Sequence, residues 1–457
     1  MTKKTPALAV LCAVQFMLVL DDTVVNVALP AIRGELGFTA AGLSWVVNAY
    51  FLAFGGFLLL SGRAADLLGR RRAFLIGVAA FGVASLVCGI AQEPWQLVAA
   101  RFAQGMGSAL ASPAALSLIT LMFPGEGERA RAVGVWGAIA ALGGTMGLVI
   151  SGVLTDLTSW RWIFLINLPV AALALVLVPR LVGESRAARG ARLDVPGALL
   201  GTAAVLALVY GLLQAEHAGW VSAAVLLPLL LAVLLAAAFL AVESRTAQPL
   251  VPLAFLAVRI RAVANLSTLL FSAAFYAMAF LLMIHLQTRL GYSALVAGVA
   301  YLPYGGGILA GMWLSSRAVA RLGTRPALLV ALTVSAAGLL LLSGVAPGDA
   351  YVSGVLPGML VTSLGCGLSL PALTTAAVTG TTSEDAGVGS AVLTSVQQVG
   401  GAVGVALLVT LAAQRGYGFA MVICAALVVL AAVLVATALR PSRYGPPAKT
   451  LENPGLH

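Results

Sequence analysis

The sequence predicts an all-α integral membrane protein with fourteen transmembrane helices. Hydrophobic residues occupy 61% of the 457 positions and charged residues only 9%, which is too few charges to cover the surface of a soluble domain. Apolar runs long enough to cross a bilayer as helices recur along the whole chain, separated by short breaks rich in charge, glycine or proline. The lipid bilayer is therefore the expected surroundings of nearly every residue.

Each helix is predicted from one apolar run, and its end from the break that follows. The predicted spans are 7–29, 41–62, 73–91, 95–122, 130–154, 162–180, 195–213, 220–241, 262–287, 292–315, 327–345, 350–375, 387–412 and 417–439. The seventh and eighth spans are divided only by the weak break at 215–219, which we interpret as a short external hairpin.

The distribution of basic residues predicts the orientation. With both termini in the cytoplasm, 21 of the 26 Lys and Arg fall in cytoplasmic segments, four in external segments, and Arg101 within a span. Such an excess is typical of the cytoplasmic side of a membrane protein. The composition, rich in Arg, Ala, Gly and Leu with only three Lys, suggests a bacterium with a high-GC genome. We expect a multi-pass protein of the bacterial cytoplasmic (inner) membrane.

A weak internal repeat predicts two related halves. The segments 62–72 and 316–326, after the second and tenth spans, share an x-R-A-x-x-x-L-G-x-R frame. Repeated halves are the architecture of carriers that rock around a site at the bilayer midplane. The predicted units are a six-helix bundle over 1–182, a linker with inserted helices over 183–245, a second six-helix bundle over 246–440, and a polar, disordered cytoplasmic tail over 441–457.

Adjacent carboxylates in the first span are the main functional candidates. Asp21 and Asp22 lie within an apolar run, where an ionised side chain is costly and usually serves a function. At about 100° per residue they cannot both face one way, so one should face a cavity and the other a neighbouring helix. Burial favours the protonated form of a carboxyl group and a nearby cation favours the ionised form. Both are candidates for proton coupling; the alternative is a permanently paired structural aspartate.

Arg101 in the fourth span is the candidate partner. Asp21 lies nine residues before Pro30 and Arg101 seven after Pro94, about 13 and 10 Å along their helix axes. Because the first helix runs outward and the fourth inward, the two residues lie at similar depth. Protonation of Asp21 would release Arg101. The alternative is a fixed structural ion pair.

The cytoplasmic loop after the second span is a candidate conformational latch. Its glycines permit close backbone approach, and its aspartate is placed to accept amide hydrogen bonds or to pair with an arginine. The arginines could join the two halves on the inner face; a simple positive anchor is the alternative. The latch candidates are Gly62, Asp66, Gly69, Arg70 and Arg71.

Several functions are excluded or disfavoured. The four cysteines are far apart and the three histidines are scattered, so neither a disulfide framework, a metal site nor an enzyme constellation is indicated. No P-loop motif occurs in the sequence. The basic residues that give the net charge of +10 lie in short loops rather than in one solvated patch. This distribution argues against nucleic-acid binding. We expect no cofactor and no enzymatic activity.

Seven motifs in the same order resemble the major facilitator superfamily, and within it the fourteen-helix drug:proton antiporters. The resemblance covers nearly the whole chain. The matching segments are Leu20-Asp21-x-Thr23 with Asn26-Val27-Ala28-Leu29-Pro30, Trp45 with Tyr50, Gly62–Arg72, Arg101-x-x-Gln104-Gly105-x-Gly107, Trp160–Pro169, Leu286-Gln287 with Gly291-Tyr292-Ser293 and Ala297-Gly298, and Gln397–Gly404.

The resemblance implies the major facilitator fold and export of an amphipathic compound driven by proton influx through alternating access. Asp21 falls on the family's membrane aspartate, Asp22 on a position the motif leaves open, and Arg101 on the arginine that couples to the aspartate. We therefore expect Asp21 to carry the proton and Asp22 to act in cation recognition or tuning.

Two departures from the family pattern are present. The antiporter motif of the fifth helix ends in Gly-Pro-x-x-Gly-Gly, whereas this chain has Gly147-Leu148-Val149-Ile150-Ser151-Gly152. The bend expected from that proline is therefore not predicted here. In addition, Ala320 replaces the acidic residue of the second-half loop.

The predicted function is a proton-coupled exporter of drugs or of one self-made metabolite, acting as a monomer on small amphipathic or cationic substrates. The alternatives are a lipid or amphiphile translocator, a uniporter, and a membrane sensor that does not transport. The candidate substrate contacts are polar or aromatic residues within spans: Asn26, Trp45, Asn48, Tyr50, His285, Gln287, Tyr301, Tyr304, Gln397 and Gln398.

Overall fold

The computed structural model describes residues 4–123, 125–185, 194–246, 249, 257–345, 348–377 and 385–438. Within these ranges every regular element is a helix. In chain order the helices are α1 (Lys4–Leu36), α2 (Ala40–Leu68), α3 (Arg70–Ile90), α4 (Pro94–Met122), α5 (Glu126–Leu157), α6 (Trp162–Leu165 and Asn167–Leu181), α7 (Val195–Ala218), α8 (Ala223–Glu243), α9 (Arg259–Thr288), α10 (Ala294–Ala300 and Leu302–Leu322), α11 (Thr324–Ser343), α12 (Tyr351–Ala377), α13 (Asp385–Arg415) and α14 (Tyr417–Ala438).

The predicted fourteen-helix, all-α membrane fold is confirmed. Thirteen of the described helices contain a segment long and apolar enough to cross a bilayer, and α2 contributes a shorter apolar stretch, Gly42–Leu58. Successive helices alternate in direction, so α1 begins and α14 ends at one face, which we name the terminal face. The opposite face, where α1 and α5 end, is named the distal face.

Several helices extend beyond the predicted spans. α1 continues through Pro30 to Leu36, and α5 begins at Glu126. Hydropathy detects only the part of a helix that lies in hydrocarbon, whereas the hydrogen-bonded helix continues into the polar interface, where charged side chains are solvated. α10 is interrupted at Tyr301 because Pro303 has no N–H to donate to the preceding turn.

Helix packing repeats with an offset of eight helices. α1 packs on α5 as α9 packs on α13, α2 on α4 as α10 on α12, and α3 on α4 as α11 on α12. The halves meet through two contacts, α2 with α13 and α5 with α10. Since α2 is equivalent to α10 and α5 to α13, these two contacts are also equivalent to each other. The α7–α8 hairpin packs through α7 on α2 and α13. This is the arrangement of two related six-helix halves with an inserted pair; the residue bounds of the units stay predictions.

The repeated sequence frame marks an equivalent turn in each half. Gly69 links α2 to α3 with φ of 100°, and Gly323 links α10 to α11 with φ of 84°. Both values lie in the left-handed region that favours glycine. The glycine of the frame is therefore explained by the turn that each half makes at the terminal face.

Candidate functional site

Asp21 and Arg101 form a fully buried ion pair between α1 and α4. The side chain of Arg101 donates from Nη1 to Asp21 Oδ2 at 2.5 Å and from Nε to the Val46 carbonyl at 3.0 Å. Its guanidinium carbon lies 4.4 Å from the ring centroid of Tyr50. Asp21 and Arg101 are both 0% exposed. The contact expected from their matching depths is thus present, and Asp21 is the aspartate that faces a neighbouring helix.

Two amides complete the hydrogen bonding of the Asp21 carboxylate. Its Oδ1 accepts from Asn167 Nδ2 at 2.8 Å and from Gln104 Nε2 at 3.1 Å. Gln104 also donates to Ser85 Oγ at 2.8 Å and accepts from Arg101 Nη1 at 2.9 Å. Side chains from α4 and α6 therefore bond directly to one carboxylate of α1, and Ser85 of α3 accepts from the two amides behind it. Both oxygens of the Asp21 carboxylate therefore accept hydrogen bonds in a site that is closed to solvent.

The sequence reasoning missed Asn167, Gln104 and Ser85 as functional residues. Gln104 and Asn167 lie inside two of the seven motifs, where they served only as markers of resemblance. The available signal was polarity within an apolar run: uncharged polar side chains in membrane spans usually pair with another polar group. Which group they pair with depends on how three helices are rotated about their axes, which hydropathy does not report.

Asp22 lies on a different side of α1 from Asp21, on the wall of a cavity of about 410 Å³. Its Oδ1 atom is buried and has no hydrogen-bond partner within the described part of the chain. α1 also contributes Thr23 and Asn26, and the facing walls come from α5, α9, α10 and α12. Asp22, rather than Asp21, is thus the aspartate that faces the cavity between the two halves.

Aromatic side chains of α9 and α10 form the wall opposite Asp22. The ring centroids of Phe275 and Tyr276 are 5.4 Å apart, those of Phe275 and Tyr304 6.1 Å, and those of Tyr301 and Tyr304 5.4 Å. A mainly apolar, aromatic cavity with a few polar groups is the usual form of a small-molecule site. Aromatic faces also attract organic cations. The first half supplies the charge of this cavity and the second half supplies most of its aromatic surface.

Three of the ten predicted substrate contacts line this cavity: Asn26, Tyr301 and Tyr304. Tyr301 also donates from its hydroxyl to the Ala279 carbonyl at 3.0 Å, so its ring orientation is fixed. These three residues are retained as candidate substrate contacts.

Two of the predicted substrate contacts, Tyr50 and Gln287, form hydrogen bonds outside the cavity. Tyr50 lies against Arg101, and its hydroxyl donates to Ser108 Oγ at 3.0 Å. Gln287 donates to the Val27 carbonyl at 2.8 Å, which joins α9 to α1 near the distal face. Their positions correct the expectation that they reach the cavity, because each faces a helix–helix contact.

The remaining five predicted contacts also lie away from the cavity wall. Trp45 borders a separate groove with Trp95, and His285 stacks against Tyr417 with ring centroids 4.6 Å apart. Asn48 and Gln398 are buried, and Gln397 is half-buried on the same helix as Gln398. A polar residue in a span predicts a polar environment, but the side of the helix it occupies is set by packing.

The predicted latch arginines bond to the segment that directly follows α6. Arg71 donates from its N–H to Glu184 Oε1 at 3.1 Å and from Nη1 to the Val182 carbonyl at 3.0 Å, and the N–H of Arg70 donates to the Ser185 carbonyl at 2.9 Å. These bonds tie the α2–α3 turn, with Gly69, to the end of α6. In the described conformation Arg71 therefore bonds to the segment after α6, and a latch between the two halves stays a prediction. Gly62 and Asp66 both lie within α2, and the side chain of Asp66 lies outside what the structure describes.

The cavity is closed at the distal face by a seam between α5 and α10. A Cβ at Gly152 would lie 2.6 Å from Leu295 Cα, and one at Gly298 would lie 2.5 Å from the Leu148 carbonyl oxygen. Nearer the terminal face, a Cβ at Gly134 or Gly137 would have no heavy atom within 4 Å, and Gly137 lines the cavity. α5 and α10 therefore touch near the distal face, and α2 and α13 form the other contact between the halves.

The fold and site define a membrane carrier, with two repeated halves that both line one cavity. The sequence model of the Major Facilitator Superfamily matches residues 11–405, and the chain belongs to that superfamily. It is a transporter and not an enzyme.

Curated relatives of this chain are bacterial antibiotic resistance proteins. The chain is 43% identical over 410 residues to the puromycin resistance protein pur8 of Streptomyces alboniger, covering 88% of this chain and 80% of that protein. It is 40% identical over 447 residues to the lincomycin resistance protein of Streptomyces lincolnensis, covering 95% and 91%. These relatives support a drug efflux transporter.

Solved structures show the same fold. A POT family transporter in complex with 5-aminolevulinic acid matches with a TM-score of 0.71 at 15% identity, covering 94% of this chain and 95% of that one. The partially occluded inward open conformation of the xylose transporter XylE from E. coli matches with a TM-score of 0.67 at 15% identity, covering 96% and 98%.

Proposed function

We propose that this protein is a proton-coupled antiporter that exports small amphipathic or cationic compounds by alternating access. The observation that carries the proposal is the Asp22 carboxylate, which has a buried oxygen without a hydrogen-bond partner in the described structure, on the wall of an aromatic cavity. An ionised carboxylate in such a place is costly unless a positive charge approaches it. A proton and a cationic substrate would each neutralise it, and each would exclude the other.

This competition for Asp22 would exchange one bound proton for one bound cation. When a proton binds Asp22, the site loses its attraction for an organic cation and releases it. When the proton leaves, the carboxylate again favours the cation against the aromatic wall of Tyr276 and Tyr304. Alternating exposure of the cavity to the two sides of the membrane then couples proton entry to substrate exit.

The Asp21–Arg101 pair has a different part in this proposal. Both oxygens of Asp21 accept hydrogen bonds, and the residue is fully buried. We therefore assign the exchangeable proton to Asp22 rather than to Asp21, which reverses the order expected from the motif resemblance. The pair fixes α1 against α4 and so positions the part of α1 that carries Asp22 on the cavity wall.

Relatives narrow the substrate class. The puromycin and lincomycin resistance proteins, and the cephamycin export protein of Amycolatopsis lactamdurans at 38% identity over 414 residues, are each named for a single antibiotic. This favours one antibiotic-like metabolite as the physiological substrate.

We place the terminal face in the cytoplasm. The excess of Lys and Arg in the segments on that side supports this orientation. The protein is then a multi-pass monomer of the bacterial inner membrane with both termini cytoplasmic. The seam at the distal face makes the described conformation closed to the outside.

The test is uphill transport in proteoliposomes under an imposed pH gradient, with puromycin and ethidium as substrates. Asp22→Asn should abolish uphill ethidium transport. The control Glu93→Gln, which removes an exposed carboxylate outside the cavity, should leave transport intact. Uphill transport by Asp22→Asn would contradict the coupling assignment.

The same assay separates the other transport functions. Ethidium moving only down its own gradient, without proton flux, would identify a uniporter. Transfer of a fluorescent phospholipid between leaflets, with no ethidium transport, would identify a lipid translocator.

A further inference from the structure

The distal seam contains one carboxylate that crosses between the halves. Asp156, near the end of α5, accepts from the N–H of Ala294 through Oδ1 at 3.1 Å and from the N–H of Leu295 through Oδ2 at 2.9 Å. Both donors open α10, which belongs to the other half. The first N–H groups of a helix have no partner within it, and they attract negative charge.

The beginning of α10 is capped by both halves together. Ser293, directly before the helix, accepts from the N–H of Val296 at 3.3 Å. Asp156 supplies the acceptors for the two N–H groups that Ser293 does not reach. If α5 moved away from α10, these two groups would lose their charged acceptor at once.

The seam depends on contacts that are made only when the halves are close. Gly152, one turn before Asp156, has the α10 backbone where a side chain would lie, and Gly298 has the α5 backbone in the same position. Two glycines and one carboxylate therefore hold about two turns of α5 against α10. Of the three residues, only Asp156 contributes a specific, directional bond.

We propose that Asp156 is the latch of the distal seam: its paired hydrogen bonds to Ala294 and Leu295 set the balance between the distally closed and distally open conformations. The inference rests on the alternating-access part of the proposed function. It requires neither proton coupling nor any particular substrate. It adds a positioning residue that no sequence motif considered above contains.

The test is a distance measurement across the seam by pulsed electron paramagnetic resonance in lipid nanodiscs. Spin labels are attached at Leu157→Cys on α5 and Val296→Cys on α10, whose side chains are 73% and 49% exposed. The four native cysteines are buried and escape labelling. No substrate or gradient is present, so the measurement reports the conformational balance alone.

Removing the latch should increase the long-distance population. Because hydrogen bonds to charged groups stabilise more than neutral ones, Asp156→Ala should raise the ratio of open to closed molecules at least about threefold. Asp156→Asn, which keeps one acceptor and no charge, should give a smaller rise and replaces the alanine variant if that variant aggregates. Gly152→Ala should open the seam independently by adding a methyl group against the α10 backbone.

Two controls match these changes. Glu93→Ala removes a carboxylate at the distal end of α4, where the local bond from the Glu93 N–H to Gln96 Oε1 stays within one half. Gly134→Ala adds a methyl group to α5 where no neighbour lies within 4 Å. Both should leave the distance distribution of the original chain unchanged.

The outcomes distinguish the latch from the transport cycle. If Gly152→Ala opens the seam but both Asp156 variants match Glu93→Ala, the latch assignment is wrong and alternating access stands. If no variant shows a long-distance population, the seam does not open, and the alternating-access proposal fails together with the latch.

Discussion

At the residue scale, two neighbouring aspartates of one helix have opposite surroundings. Asp21 accepts from Arg101, Gln104 and Asn167 in a fully buried network, whereas Asp22 has a buried oxygen without a partner in the described structure and faces the cavity. A satisfied carboxylate stabilises the fold, and an unsatisfied one binds whatever positive charge reaches it. Their difference follows from a rotation of about 100° along α1.

Because Asp21 and Arg101 form a buried ion pair, we expect the loss of either charge alone to destabilise the protein more than the loss of both. Arg101→Leu should strongly destabilise the protein, by about 3–5 kcal/mol, because Asp21 then remains buried without its cation. The double variant Asp21→Asn with Arg101→Leu should recover much of that loss. The measurement is the midpoint of thermal unfolding in detergent for both variants. A double variant no more stable than Arg101→Leu would show that the pair is not the source of the loss.

Because Asn167 donates to Asp21, we expect the variant Asn167→Asp to have a stability that depends on pH. Asn167→Asp places a second carboxyl group beside Asp21 Oδ1, and two carboxylates in contact cannot both be ionised without repulsion. Protonation of the introduced carboxyl restores a donor, so the unfolding midpoint of this variant should rise as the pH falls from 8 to 5, relative to the original chain. Asn167→Ala is the control, because it removes the donor without adding a titratable group. A parallel pH dependence in the two variants would contradict the assignment.

At the element scale, paired glycines set helix contacts within each half. A Cβ at Gly77 on α3 would lie 2.7 Å from the Ala111 nitrogen, and one at Gly107 on α4 would lie 2.7 Å from the Phe81 nitrogen. The equivalent pair in the second half, Gly338 on α11 and Gly365 on α12, meets the opposite backbone at 2.3 Å. Close approach of small residues is the main source of helix packing in lipid. The repeat of the halves thus extends to these contacts.

The close contact at Gly77 and the open space at Gly134 predict different stabilities for the two glycine-to-alanine variants. Gly77→Ala should destabilise the first half by about 1–3 kcal/mol, since the methyl group meets backbone that cannot yield. Gly134→Ala, on α5 where space is open, should cost nothing. Thermal unfolding midpoints of the two variants give the comparison, and equal midpoints would mean that the α3–α4 contact adapts without strain.

Much of the fold followed from the sequence, while the cavity did not. The fourteen spans follow from hydropathy, and the repeat follows from the frame that contains Gly69 and Gly323. The side of each helix that faces the cavity depends on close packing at scattered small residues, which no periodicity records. Trp45 and Tyr50 were therefore expected at the cavity and lie elsewhere, while Phe275 and Tyr276 were not singled out and line it.

At the scale of the whole molecule, the two halves share a fold but divide the chemistry. The described structure places Asp22 and the Asp21–Arg101 pair in the first half and the aromatic wall in the second. The distal seam joins α5 to α10 near one face, and both helices also line the cavity. A cation bound in the cavity would contact both halves. Relative movement of the halves would then alter the site directly.

The central claim is that a proton and a cation compete for Asp22. Its most direct test is proton release when tetraphenylphosphonium binds to the purified protein in weakly buffered detergent, at a pH low enough to protonate the cavity carboxyl group. We expect roughly one proton released per cation bound, none in Asp22→Asn, and release retained in Asp21→Asn if that variant is folded. Undiminished release from Asp22→Asn would contradict the account.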